Sequence, residues 1–149
     1  MLTTPHLLVG GAIGTAIGNP FFAVPTAAAS HFVLDGIPHL MGIVEVEDLD
    51  KKDVLFVLGD VLIGLAILTF LSINNPLWEH LWVGAFAAVL PDFHHLAQVL
   101  FGPDFLKRYT HLHLRFHYKK DIHVAAGLAT QIATILLAVV VIITSQGKN

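Results

Sequence analysis

His31, Asp35 and His39 follow one another at intervals of four residues. On a continuous helix this spacing stacks three ligand-type side chains on one face. Asp92 and His95, three residues apart, also share a face. Imidazole nitrogen mixed with carboxylate oxygen suits zinc first, with manganese or iron as alternatives. The chain contains no cysteine, which excludes thiolate metal sites, disulfides and a thiol nucleophile. Donors in this number admit one ion or two, and paired ions in hydrolases clamp the attacking and leaving oxygens.

Other residues join this set. His6 and His123 stand at helix entries. His113 and His117, at i and i+4, are the best-placed pair in a polar stretch that also holds His111. One of His94 and His95 is expected to point away from the other and so to be a bystander, and the spacing leaves open which one. Asp60 is the only charge between Val54 and Ile73. A charge in mid-span costs about 2.5–3.5 kcal/mol or more, so Asp60 is expected to act as a bridging ligand or general base. His80 falls at the other end of its segment and is expected to take no part.

The elements that position these residues are apolar helices. Thr4 and Pro5 read as a helix start. The apolar run to Ile17 rises only about 20 Å, short of a hydrocarbon core of about 30 Å, so this helix is re-entrant or spans poorly. Gly10, Gly14 and Gly18 form a small-residue stripe that admits a close helix neighbour. A second helix is expected from Pro20 to Leu40. The span at 54–73 is the clearest, a fourth apolar segment runs from Leu77 to Leu100, and the last runs from Ile122 to Thr144. The run from Glu45 to Asp53 reads as a solvated charged loop, and 102–121 as a polar, basic connection.

Composition agrees with burial in lipid. Of 149 residues, 55% are hydrophobic and 13% charged, with mean hydropathy +0.73. A soluble domain carries about 25% charge, so half the usual polar cover is missing. The reading is one domain over residues 1–149: an all-α integral membrane helical bundle of about five hydrophobic helices. Net charge is −3, which leaves no argument for a nucleic-acid partner. No Lys or Arg precedes Lys51, so the basic start of a signal peptide is missing. Lys51, Lys52, Lys107, Arg108, Arg115, Lys119 and Lys120 fall on one side of the expected topology, and Lys148 on the other. That side is expected to be cytoplasmic, with the N-terminus inside and the C-terminus outside the cell membrane.

The stretches Thr4-Pro-His6, Ser30 to His39 and Leu90 to His95 resemble small prokaryotic multi-pass proteins described as predicted membrane-bound metal-dependent hydrolases. Those proteins carry an early His, an LPDxDH motif ending a helix and a later HRxxTHS motif. The resemblance implies His6, Asp92 and His95 as site residues. His31, Asp35 and His39 are similar to an HxxxDxxxH pattern in relatives of like layout. Here His94 replaces the second Asp of the LPDxDH motif, and Tyr109 to His117 stands where HRxxTHS would be.

The expected function is a membrane-embedded metal-dependent hydrolase. Its His/Asp site would lie near the cytoplasmic interface, with a phosphoester or lipid headgroup as substrate. The alternative is non-enzymatic: a divalent-metal or proton pathway, or a metal sensor. Transport predicts polar residues continuing to the far face, and the outer halves of the spans are nearly all apolar, Gln131 apart. An oligomer could supply such a path. Bis-histidine haem is a weaker third reading, because the acids outnumber what a haem pocket tolerates.

Overall fold

The computed structural model describes residues 1–40, 50–120 and 122–146. The charged stretch at 45–49 and Lys148 lie outside the described residues. The fold is all-helical, with no strand among the described residues. Helix α1 covers Thr3–Ile17, α2 Pro20–Gly36, α3 Lys51–Ser72, α4 Trp78–Val89, α5 Phe93–Phe101, α6 Lys107–His113 and α7 Val124–Ser145. A single 3-10 turn, Leu90–Asp92, joins α4 to α5.

Helix α1 is the axis of the molecule. It packs against α4, α7, α2 and α3. A helix apolar on every side has no solvent face and belongs in a core, and ten of its residues, from Thr4 to Thr15, are buried. At fifteen residues it is about 22 Å long. It therefore lies short and enclosed. The glycine stripe explains its closest contact, although not all of it serves that purpose. A Cβ at Gly10 would fall on the Gly84 carbonyl oxygen, and one at Gly14 on that of His80, both on α4. Gly18 meets nothing there. It ends the helix instead, at φ 66° in the left-handed region, donating its N–H to Gly14 O.

Two helices, α3 and α7, are long and apolar enough to cross a membrane, each with 22 residues. Only 17% and 22% of the respective spans are buried, so most of their side chains face outward. Phe56, Leu62, Ile63 and Phe70 on α3, and Leu136, Leu137 and Val140 on α7, are exposed. Exposed apolar surface on this scale needs lipid or protein cover. The start of α3 is a capping box: Asp50 accepts from the amides of Lys52 and Asp53 at 2.7 and 2.9 Å, and Asp53 accepts from the Asp50 amide at 3.1 Å.

Two expected boundaries are corrected. Helix α2 stops at Gly36, not Leu40. Ile37 precedes Pro38, which disfavours helical backbone, and it is extended at φ −78°, ψ 144°. The segment at 77–100 is also not one helix. Pro91 cannot continue the α-helical hydrogen-bond ladder, and the chain breaks there into the 3-10 turn and α5. Both breaks occur beside the clustered histidines and acids.

Candidate metal centre

The two helix breaks and the two long helices together determine where each polar group goes. The N-terminus of α1 meets α3 at Asp60 and α7 at Gln131, well inside those helices. Thr3 and Thr4 amides donate to Asp60 Oδ2 at 2.6 and 3.1 Å, and the Leu2 amide donates to Gln131 Oε1 at 3.0 Å. The Thr4 hydroxyl donates to the Asp60 carbonyl at 2.7 Å. First-turn amides of a helix have no partner within it, and a buried helix such as α1 cannot give them to water. The polar residues set into α3 and α7 supply the acceptors.

Asp60 is placed apart from the clustered ligand atoms. Its carboxylate caps α1 and belongs to none of the ligand groups found among the described residues. Asp60→Ala is expected to lower stability by about 0.5–2 kcal/mol, the usual cost of a lost cap, with bound metal unchanged. Thermal unfolding and elemental analysis of the same preparation check both halves.

Asp35 is the centre of the cluster. It sits in the last turn of α2 and is buried. Its Oδ2 lies 3.1 Å from His31 Nε2, 3.0 Å from His117 Nε2 and 3.5 Å from His113 Nε2. Its Oδ1 accepts from His6 Nε2 at 3.2 Å and also contacts the Met1 amino group. Asp92 Oδ1 approaches the same space, 3.3 Å from His31 Nε2 and 3.5 Å from His113 Nε2. His113 Nε2 and His117 Nε2 are 2.9 Å apart. The ring of His6 stacks on that of His31 with centroids 4.1 Å apart.

These contacts are close without being hydrogen-bonded in the ordinary way. His31 Nε2 and Asp35 Oδ2 are buried and neither has an aligned hydrogen-bond partner. Leaving such groups unpaired costs about 1–3 kcal/mol each, more for a charge. The donor set could hold a metal ion: Asp35 with His113 and His117, and Asp92 with His31 and His113, each offer ligand atoms within 4.8 Å of one another. For metal–ligand bonds of about 2.0–2.1 Å, neighbouring ligand atoms lie about 2.9–3.4 Å apart in octahedral or tetrahedral geometry. The observed separations bracket that range.

Outer contacts orient the rings. His31 Nδ1 lies 2.8 Å from the Ala88 carbonyl, and His94 Nδ1 lies 2.8 Å from the Pro91 carbonyl. An imidazole that donates through Nδ1 presents the Nε2 lone pair to an ion, the usual arrangement for a metal ligand. The Pro91 carbonyl also accepts from the Tyr109 hydroxyl at 3.3 Å. Burial, then the neighbouring Asp92 charge, raises the Tyr109 phenol above its ordinary pKa, so it remains a donor.

The stretch at 102–120 closes the site. It is not a loop standing in water: His113 is buried, and the backbone amide of Tyr118 donates to the Asp35 carbonyl at 2.7 Å. Phe32 of α2 meets the rings of His113 and Phe116 at 5.5 and 5.1 Å between centroids. Gln98 of α5 donates to Pro103 O at 2.9 Å and to the Thr110 hydroxyl at 3.1 Å, which ties α5 to α6.

Of the residues expected at the site, the fold brings together His6, His31, Asp35, Asp92, His95, His113 and His117. His39 is placed otherwise than expected. Because α2 ends at Gly36, the i, i+8 relation fails. Thr130 Oγ1 holds the following chain by donating to Pro38 O at 2.6 Å. His39 is buried 6.1 Å from the His117 ring, with Nδ1 on the Ile37 carbonyl, and it belongs to no ligand group. His123 is a correction too: it is exposed, and its Nδ1 accepts from the Ala125 amide as the cap of α7. His80 takes no part among the described residues. His94 emerges as a further buried member, with Asp92 and His95. Its signal in the sequence was Pro91, whose break changes the register that follows. No protein-family model, no curated protein and no solved structure matches the chain.

Proposed function

We propose that this chain is an integral membrane bundle of about five hydrophobic helices carrying a divalent-metal-dependent hydrolase site at its cytoplasmic end. The observation that carries this reading is the convergence of His31, Asp35, Asp92, His113 and His117 on one space. The two carboxylates balance a dication, which removes the cost of burying the acids alone, and the three imidazoles complete the donor set. Zinc suits the nitrogen and oxygen donors, with manganese and iron next. His6 holds the other oxygen of Asp35 and so sets the angle of that carboxylate. Asp92 is the open side, with its side chain 34% exposed against 0–1% for Asp35, His31 and His113.

An ion held there would supply Lewis acidity to a phosphoryl or carbonyl oxygen and would acidify a water. In the reaction the water oxygen joins the phosphorus or acyl carbon, the ester bond breaks, and a proton ends on the departing alkoxide. The substrate class is a phosphoester or a lipid headgroup. The basic residues Lys51, Lys52, Lys107, Arg108, Arg115, Lys119 and Lys120 support a cytoplasmic position for this end.

A pathway through the molecule is less well supported. Beyond the site, Leu7, Leu8, Ala12, Leu68, Leu81, Ala85 and Ile142 form a packed apolar core. Buried Thr15 and Asn75 are occupied locally, each bonding to backbone within four residues. That core favours a one-sided pocket.

The test is elemental analysis of detergent-purified protein with assays on a soluble aryl phosphate and on phospholipid micelles. The expected result is stoichiometric zinc, with hydrolysis that falls at least tenfold on chelation and returns with added ion. Protein that binds no metal would overturn the reading. Stoichiometric metal without hydrolysis of either substrate would move the site to sensing or transport.

A further inference from the structure

We infer that the chain holds a second divalent ion beside the first, on Asp92, His94 and His95, with the Asp92 carboxylate shared between the two positions. The inference rests on the metal site proposed above and deepens it. Asp92 Oδ1 faces His31 and His113 at 3.3 and 3.5 Å. Asp92 and one nitrogen each from His94 and His95 also lie within 4.8 Å of one another. A carboxylate has two oxygens with about four lone-pair sites, so one residue can serve both centres.

His94 supplies the independent observation. It is 3% exposed, and its Nε2 has no hydrogen-bond partner. Its Nδ1 is engaged by the Pro91 carbonyl at 2.8 Å. The nitrogen left over is the one a ligand would use. Consecutive residues on a helix point about 100° apart, yet the rings of His94 and His95 lie with centroids 3.9 Å apart. Two imidazoles drawn together beside a carboxylate, one with a bare buried nitrogen, are arranged for a cation.

The second ion also specifies the ligand. One dication is balanced by Asp35 and Asp92, and a second leaves two positive charges in excess. That excess selects an anionic group, so a phosphate ester fits the site better than an uncharged carboxylic ester. Two divalent ions held there would supply a clamp for both the attacking and the leaving oxygen of a phosphoryl group. The second position is the more open, since Asp92 is partly exposed and His95 half-buried. It is expected to release its ion first.

The experiment is a titration of the metal-free, detergent-purified full chain with Mn²⁺ alone, followed by elemental analysis and electron paramagnetic resonance. The wild type is expected to bind two ions per chain, with the broadened signal of a coupled pair. His94→Ala and His95→Ala are expected to bind one, with the sharp six-line signal of isolated Mn²⁺. The remaining ion reports that the variant is folded. One ion per chain in the wild type would overturn the second site and leave the first. Two ions in both variants would do the same for the assignment to His94 and His95. No ion in the wild type would overturn both sites together.

Discussion

Replacing Asp35 with asparagine is expected to abolish stoichiometric metal binding while the helices remain assembled. Among the described residues, Asp35 is the one side chain that faces His6, His31, His113 and His117 together. Asparagine keeps the shape and one oxygen, and loses the charge. Removing one member of a buried charged set costs on the order of 3–5 kcal/mol. If that cost falls on the bound state, affinity drops roughly 10²- to 10⁴-fold. Asp35→Ala should do the same to the metal and also leave a cavity next to four imidazoles. It is therefore expected to lower thermal stability as well. Elemental analysis and a competition titration with a coloured chelator measure the first effect, and thermal unfolding measures the second. Metal retained at wild-type affinity in Asp35→Asn would remove this residue from the centre.

The second large effect is expected far from the chemistry, at the crossing of α1 and α4. In Gly14→Ala the new methyl would fall on the His80 carbonyl oxygen, and in Gly84→Ala on that of Gly10. The obstacle in each case is backbone, which cannot rotate aside as a side chain can. Overpacking typically costs about 1–3 kcal/mol, occasionally more, and these positions belong at the upper end. The effect should reach the site, because α1 carries His6 and α4 carries the Ala88 carbonyl that orients His31. Gly59→Ala is the control. Nothing lies within 4 Å of a Cβ there, so alanine is expected to be neutral or to stabilise α3 by up to about 1 kcal/mol. Denaturant titrations of the three variants in one detergent test the order. A Gly14→Ala variant as stable as Gly59→Ala would show that the two helices do not cross here.

Much of the clustering of histidines and acids was legible before any tertiary structure. His31 and Asp35 share a helix face because four residues make about one turn, and that relation is local. Asp92 was legible as costly charge at the end of an apolar run, and the lack of cysteine restricted the donors to nitrogen and oxygen. The apolar lengths of α3 and α7 were also readable, because a span is a matter of composition over about twenty residues. The misreadings have local causes of another kind. His39 was carried past Pro38 by a periodic pattern that the backbone could not follow. Asp60 was assigned to chemistry because its cost in lipid was visible, while the open amides of α1 that it satisfies were not.

The amino-acid sequence by itself determined an all-helical, apolar chain, its helix breakers, and the kinds of ligand atom it can offer. Those properties depend on residue type and on neighbours within a few positions. Only the tertiary structure decided that α1 lies enclosed at the axis, that Asp60 and Gln131 cap it, and that His113 and His117 fold back onto Asp35. Each joins residues distant along the chain, and the packing of glycine against backbone and the pairing of buried polar groups determine which segments meet.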